Sequence, residues 1–165
     1  MLSNFIQDII DREQQNPDLQ STIDVQAILR AAENVESDFL NTQTTQSISD
    51  DVVQALRSSD VADTNIHELC DKLIEYRHVE HVYQIHKGKH VRWLRNGRLT
   101  NGGIVVDVKF LDTGTHILCK NRERFVQYKF DDCTTFQRLS SDEILILQLK
   151  LLRHASHISG VHSGN

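Results

Sequence analysis

Apolar residues along the chain change their spacing near residue 87, and that change separates two kinds of predicted element. Before it they recur every three or four positions, the period of a helix that rests one face on a neighbour. Leu2, Phe5, Ile6, Ile9 and Ile10 form the first stripe, behind Ser3 as a candidate cap and ahead of Asn16-Pro17, where the sole proline stops the helix. Ser21 and Asp24 resemble a capping box for a second helix, with Val25, Ile28, Leu29, Ala32, Val35 and Phe39 on one face. The stretch 41–47 is polar, lacks an apolar period and reads as a linker. A brief helix carrying Val52, Val53 and Leu56 follows, capped by Ser49 or Asp50, and then a longer one with Ile66, Leu69, Cys70, Leu73 and Tyr76 on one face. Helices this short are marginal alone in water, so each stripe needs a surface to lie on.

From Lys87 the period falls to two, the signature of strands. Val91 and Trp93 alternate with His90 and Arg92; Asn96-Gly97 and Asn101-Gly102-Gly103 are turn signals. Ile104, Val106, Val108 and Phe110 are expected to point inward as one row, and Val126, Tyr128 and Phe130 as another, with a strand over 115–120 between them and a last one over 134–138. Loops this short exclude parallel crossovers, so the sheet should be antiparallel. Ser140 and Glu143 form a capping box for a final helix whose apolar run, from Ile144 to Leu152, is wider than a single stripe. The predicted fold class is α+β: short N-terminal helices, a five-stranded antiparallel SH3-like small barrel and a C-terminal helix. In segments, this gives an N-terminal helical arm (1–40), a polar linker (41–47), a helical segment (48–86), a small β-barrel with its C-terminal helix (87–153) and a flexible tail (154–165).

Charge adds an asymmetry that the net value of −5 hides. Residues 1–80 carry 5 Lys and Arg against 16 Asp and Glu, whereas residues 81–139 carry 11 against 5. An acidic and a basic part in one chain imply opposite partners, or partly each other. The basic residues fall on strands and turns, which allows either contact with acidic protein surfaces or binding of nucleic acid through phosphates. Trp93, Tyr128 and Phe130 fall on inward rows, so they read as core and not as a stacking platform. The sequence has no charged n-region before an apolar stretch, and its longest apolar run is far short of a membrane span; both point to a soluble, unsecreted protein.

Candidate chemistry is sparse. Cys70, Cys119 and Cys133 form no CxxC pair and cannot all be bridged, which points to reduced thiols. His78, His81, His86 and His90 cluster in sequence, but Lys87-Gly88 breaks any helix that would set the last two on one face, so a zinc module is the weakest of the readings. Neither a nucleophile elbow nor a phosphate-binding glycine loop is present in the sequence, and neither an enzymatic activity nor a cofactor is expected.

One resemblance sharpens the picture. Val91-Arg92-Trp93, Leu99 to Gly103, Cys119-Lys120-Asn121, Phe125, Lys129-Phe130, Phe136-Gln137 and Ser141-Asp142-Glu143 resemble segments of small proteins from large icosahedral DNA viruses of the phycodnavirus and mimivirus kind. The likeness covers about the C-terminal 60 residues and leaves the acidic helical part unmatched. It implies a structural protein of the virion: a minor capsid or cement protein bridging capsomers, present in the host cytoplasm during assembly. Its implied partners are major and minor capsid proteins and further copies of itself. On that reading Arg92, Arg95, Arg98, Lys120, Arg122 and Arg124 face acidic surfaces, while Leu2, Phe5, Ile6, Ile9, Leu145, Leu149 and Leu152 supply apolar anchors. A nucleic-acid-binding small barrel is the alternative.

Overall fold

The structure, a computed structural model, describes Gln7, Asp8, Asp11 and residues 39–159, with side chains described through Arg153. Leu2, Phe5, Ile6 and Ile9 lie outside the described residues, as do the second expected helix up to residue 38 and the tail from residue 160. In chain order the elements are α1 (Phe39–Thr42), α2 (Thr45–Arg57), α3 (Asp63–Lys72), β1 (Tyr76–Val79), β2 (His90–Arg95), β3 (Arg98–Leu99), β4 (Gly103–Leu111), β5 (Gly114–Asn121), β6 (Arg124–Lys129), β7 (Thr134–Arg138) and α4 (Ser141–Ser159). The chain divides into two compact units, Met1–Thr45 with Ser140–Asn165, and Gln46–Leu139.

The Gln46–Leu139 unit is built on one sheet of seven strands in the order β1-β7-β2-β4-β5-β6, with β3 hairpinned onto β2. Its pairs are antiparallel, as the short loops require. This differs from the expected five-stranded SH3-like barrel in two ways. Two further strands exist, β1 and β3, and the sheet is not closed: β1 and β6 are its edges. The strand β1 lies inside the segment read as helical. Helix α3 stops at Lys72, Glu75 takes a left-handed φ of 68°, and Tyr76 starts the strand that pairs with β7 instead of extending the helix. Tyr76 nonetheless packs with the α3 face as its spacing demanded. The expected linker is likewise mostly helical, because α1 runs to Thr42 and α2 starts at Thr45. Burial of Leu40 and Ile48 overrides the weak helix propensity of the threonines between them.

The sheet has a core on each face. On one side Val79, Val91, Trp93, Val105, Ile117, Cys119 and Tyr128 pack together. On the other, Leu94 and Phe136 take the apolar stripe of α2 (Val52, Ala55, Leu56), Leu69 of α3 and Leu73 just past the end of α3. Burying each such aliphatic or aromatic side chain is worth about 1.5–3 kcal/mol, which is what fixes these two short helices. Trp93 stacks on Tyr128 with ring centroids 4.1 Å apart, although β4 and β5 lie between their strands. A flat sheet would hold those strands roughly 14 Å apart. The sheet is therefore strongly curled, with the Trp93–Tyr128 side concave.

A bulge between Val105 and Asp107 reorders β4. The extra residue flips the alternation, so Val105 is buried while Ile104 and Val106 are exposed, the reverse of the expected inward row. Beyond the bulge Val108 packs on the concave core, and Phe110 runs past it into solvent with 74% of its surface exposed.

In the other unit, Ser140 Oγ accepts a hydrogen bond from Glu143 N while Glu143 Oε1 accepts one from Ser140 N, the reciprocal box expected at the start of α4. Ile146, Leu147 and Leu149 are buried, Leu145 is half-buried, and Leu152 is exposed. Lys150 Nζ donates to the Gln43 carbonyl, and Arg153 Nη2 lies 3.5 Å from Asp8 Oδ2.

Gly102 adopts φ +73°, and a Cβ there would collide with the Val91 carbonyl of β2, the strand that β4 joins at the next residue. Gly102→Ala is expected to destabilise the protein by about 2 kcal/mol through combined backbone strain and steric clash, read as a lower chemical-denaturation midpoint. Gly88→Ala has a similar φ (+85°) and open space around it, and should cost clearly less.

Candidate functional site

The two α-helices of the sheet unit cover only part of the convex face. Strand pairing places His90, Ile104, Lys120 and Phe125 in one row across β2, β4, β5 and β6, on the face opposite the buried Val91 and Cys119. The next row holds Asp107, Leu118 and Gln127, and the one after it Lys109, His116 and Lys129. Ile104 is 42% exposed and Phe125 63%, and the bulge residue Val106 is exposed near them. The Lys120 ammonium lies 6.0 Å from the Phe125 ring centroid. This half of the face is thus an apolar patch rimmed by charge: Lys109 and Lys120, and the ion pairs Lys87–Asp107 at 3.0 Å and Lys129–Asp132 at 3.6 Å. Its neighbouring half, formed by β2 and β7, is covered by α2 and α3 through Leu94 and Phe136.

The expected basic surface does not hold together as one patch. Arg92 is structural: its Nε donates to the Thr100 carbonyl at 2.8 Å and its Nη1 to the Lys72 carbonyl at 3.1 Å, tying β2 to the end of α3. Arg95 and Arg98 face each other across the β2–β3 hairpin, whose Asn96-Gly97 turn has left-handed φ at both residues. Lys120, Arg122 and Arg124 sit on a different hairpin, β5–β6, and all three are exposed. No carboxylate among the described residues pairs with them within salt-bridge distance. In contrast, Asp107 on β4 is held by Lys87 at 3.0 Å, and that contact keeps its carboxyl below the usual range.

Strand alternation taken as one inward row hides the apolar patch. The signal lay in adjacent apolar residues: Ile104-Val105-Val106 and Phe125-Val126 cannot all face one side of a strand, so at least one of each set must face outward.

The thiols and imidazoles are occupied by packing. Burial pushes Cys119 up to about 12, and burial also raises Cys70 and Cys133; Asp71 adds to the rise at Cys70, whereas at Cys133 the Arg95 guanidinium opposes it more than Asp132 adds to it. His90 Nδ1 and Tyr76 Oη share a hydrogen bond of 3.0 Å, His78 packs at 5.8 Å from Phe136, and His81 stacks on Tyr83 at 5.3 Å. Those three rings go to three different neighbours, and among the described residues no group of three or more His, Cys, Asp or Glu is placed to hold a metal ion. A cavity of about 230 Å³ between the α2–α3 turn and the β2–β3 hairpin is lined by Ser58, Ser59, Asp60, Arg95, Asn96 and Asp132 among others, with few apolar atoms. Among the described residues no helix is long and apolar enough to cross a membrane.

Two outcomes follow. At pH 8, iodoacetamide should leave Cys119 unmodified in the folded protein and label Cys70 and Cys133 slowly, with full labelling only in denaturant; peptide mass spectrometry resolves the three. Burial also holds His78 and His90 below the usual histidine range, reinforced at His90 by the Arg92 and Arg138 guanidiniums. Each is neutral in the fold and binds its proton more readily when unfolded. Stability should therefore fall as pH drops below about 6.5, the unfolded value, toward the lower folded value. His90→Gln should flatten this acid limb, measured as the urea midpoint against pH. Set against protein-family models, curated proteins and solved structures, the chain matches nothing.

Proposed function

We propose that this chain is a non-enzymatic structural protein that binds other proteins through the open half of its sheet. The observation that carries this is the exposed row Ile104–Lys120–Phe125, lying beside a half of the same face that α2 and α3 already cover. Exposed apolar patches of this kind, rimmed by charge, mark interaction surfaces. The setting comes from the resemblance of the C-terminal segment to virion-associated proteins. On that ground the role is a minor capsid or cement protein bridging capsomers, in the virion and in the host cytoplasm during assembly. The curled sheet serves it as an SH3-like module, and the apolar residues of α4, Leu151 and Leu152 among them, supply further anchors. A second reading, binding of single-stranded nucleic acid, is favoured by one feature, the exposed Phe125 ring under Lys120, which could stack a base beside a phosphate-binding cation.

Ile104→Asp with Phe125→Asp tests the first reading. Both side chains are exposed, so the melting temperature should hold within a few degrees while association with capsid proteins, read by cross-linking in purified particles, drops by about tenfold or more. Unchanged association would end this reading. Binding to oligonucleotides that weakens steeply with salt and is lost in Phe125→Asp would instead establish the second.

A further inference from the structure

The two edges of the sheet are not equivalent. β1 is four residues long and buried or half-buried throughout. β6 is six residues long, and Arg124, Phe125, Val126 and Gln127 are all exposed. It pairs with β5 in unbroken register from Arg124 to Lys129, and no strand among the described residues pairs with its outer side. It contains neither a proline nor a bulge, two of the devices that keep an edge from accepting another strand. What it does carry is charge: Arg124 at its start, with Arg122, Glu123 and Lys120 beside it on the hairpin, and at its end Lys129, which Asp132 already pairs at 3.6 Å.

That charge selects the occupant. Two copies of β6 pairing antiparallel over their full length would set Arg124 opposite Lys129 at both ends, and like charges in opposed positions disfavour a ladder. An acidic strand meets the opposite situation. We infer that β6 is a docking edge for an extended acidic segment of a partner protein, which adds to the sheet as an eighth strand. This rests on the protein-binding role proposed above and names the partner's chemistry. Backbone groups of the partner complete the ladder, and side-chain chemistry sets the choice. Phe125 projects on the convex face with Gln127 and Lys129, and Val126 on the concave face with Arg124 and Tyr128. The fitting segment therefore carries apolar residues opposite Phe125 and Val126, a carboxylate opposite Arg124, which has no carboxylate partner among the described residues, and a second opposite Lys129, where it shares the ammonium with Asp132. An antiparallel partner reads acidic, any, any, apolar, apolar, acidic. Its apolar residue opposite Phe125 continues the row from Ile104 and Lys120, joining the edge to the exposed patch.

The test uses the full chain and a synthetic peptide of about eight residues with that pattern, glutamates at the acidic positions and valines at the apolar ones. The expected result is saturable binding, seen by fluorescence anisotropy, with slowed amide exchange confined to 124–129. Replacing the glutamates by lysines, or methylating alternate backbone nitrogens, should weaken binding by about tenfold or more. Arg124→Glu, at an exposed position, should keep the wild-type melting temperature and shift preference toward the lysine peptide. No binding, equal binding of both peptides, or protection away from β6 would overturn the inference. If Arg124→Glu leaves capsid-protein association intact while the Ile104 and Phe125 substitutions abolish it, the edge inference falls and the protein-binding role stands. If all of them leave association intact while the acidic peptide still docks on β6, the inference holds and the capsid role falls.

Discussion

The stack of Trp93 on Tyr128 sets the shape of the sheet unit. At 4.1 Å between centroids it pulls β6 back toward β2 over two intervening strands, and Tyr128 Oη reaches Thr135 Oγ1 on β7 to hold the same closure. A parallel-stacked aromatic pair adds roughly 0.5–1.5 kcal/mol to the large apolar burial of the two rings. The hydrogen bond also satisfies a phenol that burial would otherwise penalise, and burial pushes that phenol well above the usual tyrosine range. Everything that needs a concave interior follows: Val91, Val105, Ile117 and Cys119 can bury only because the sheet bends around them.

Curling has a geometric cost on the outer side. A convex surface is too broad for two short helices, and α2 and α3 settle where Leu94 and Phe136 offer apolar contact. The β4–β6 part is left bare. Closure would have removed the edges, as in a true barrel, but β1 and β6 do not pair. Among the described residues the open, curled sheet thus leaves a free edge and a free face next to each other, both on β6.

Much of this was legible in the sequence, for identifiable reasons. The switch from a helical to an alternating period placed β2 and β4 to β7, because short turns such as Asn96-Gly97 leave little room for error. The Ser140–Glu143 box is local chemistry and was legible for the same reason. Two strands were not. β1 carries Tyr76 and Val79 in a phase that a helix face also satisfies, and only the left-handed Glu75 separates the two. β3 has two residues and no period at all. The β4 bulge is a long-range effect: nothing in Ile104-Val105-Val106 says which residue is the extra one, since pairing with β5 decides it. For the same reason the basic residues could be counted but not sorted. Arg92 looks like its neighbours in sequence, yet it is held between two backbone carbonyls, while Arg124 is left at the surface.

That sorting changes what the charge means. Taken as a total, the basic excess of residues 81–139 suggests a polyanion partner, for which cations alone suffice. Once Arg92 is tied to backbone and Lys87 to Asp107, the exposed cations fall on two hairpins, Arg95 and Arg98 on β2–β3 and Lys120, Arg122 and Arg124 on β5–β6, where Lys120 stands beside Phe125 and Ile104. Cations set among apolar side chains steer encounter and select by sign, whereas release from the complex is governed by the buried apolar contact. A partner that brought only negative charge would leave Phe125 in water, and one that brought only apolar surface would strand Lys120 and Arg124 without counter-charges. The surface is satisfied by a ligand that alternates the two, which is a property of polypeptide strands.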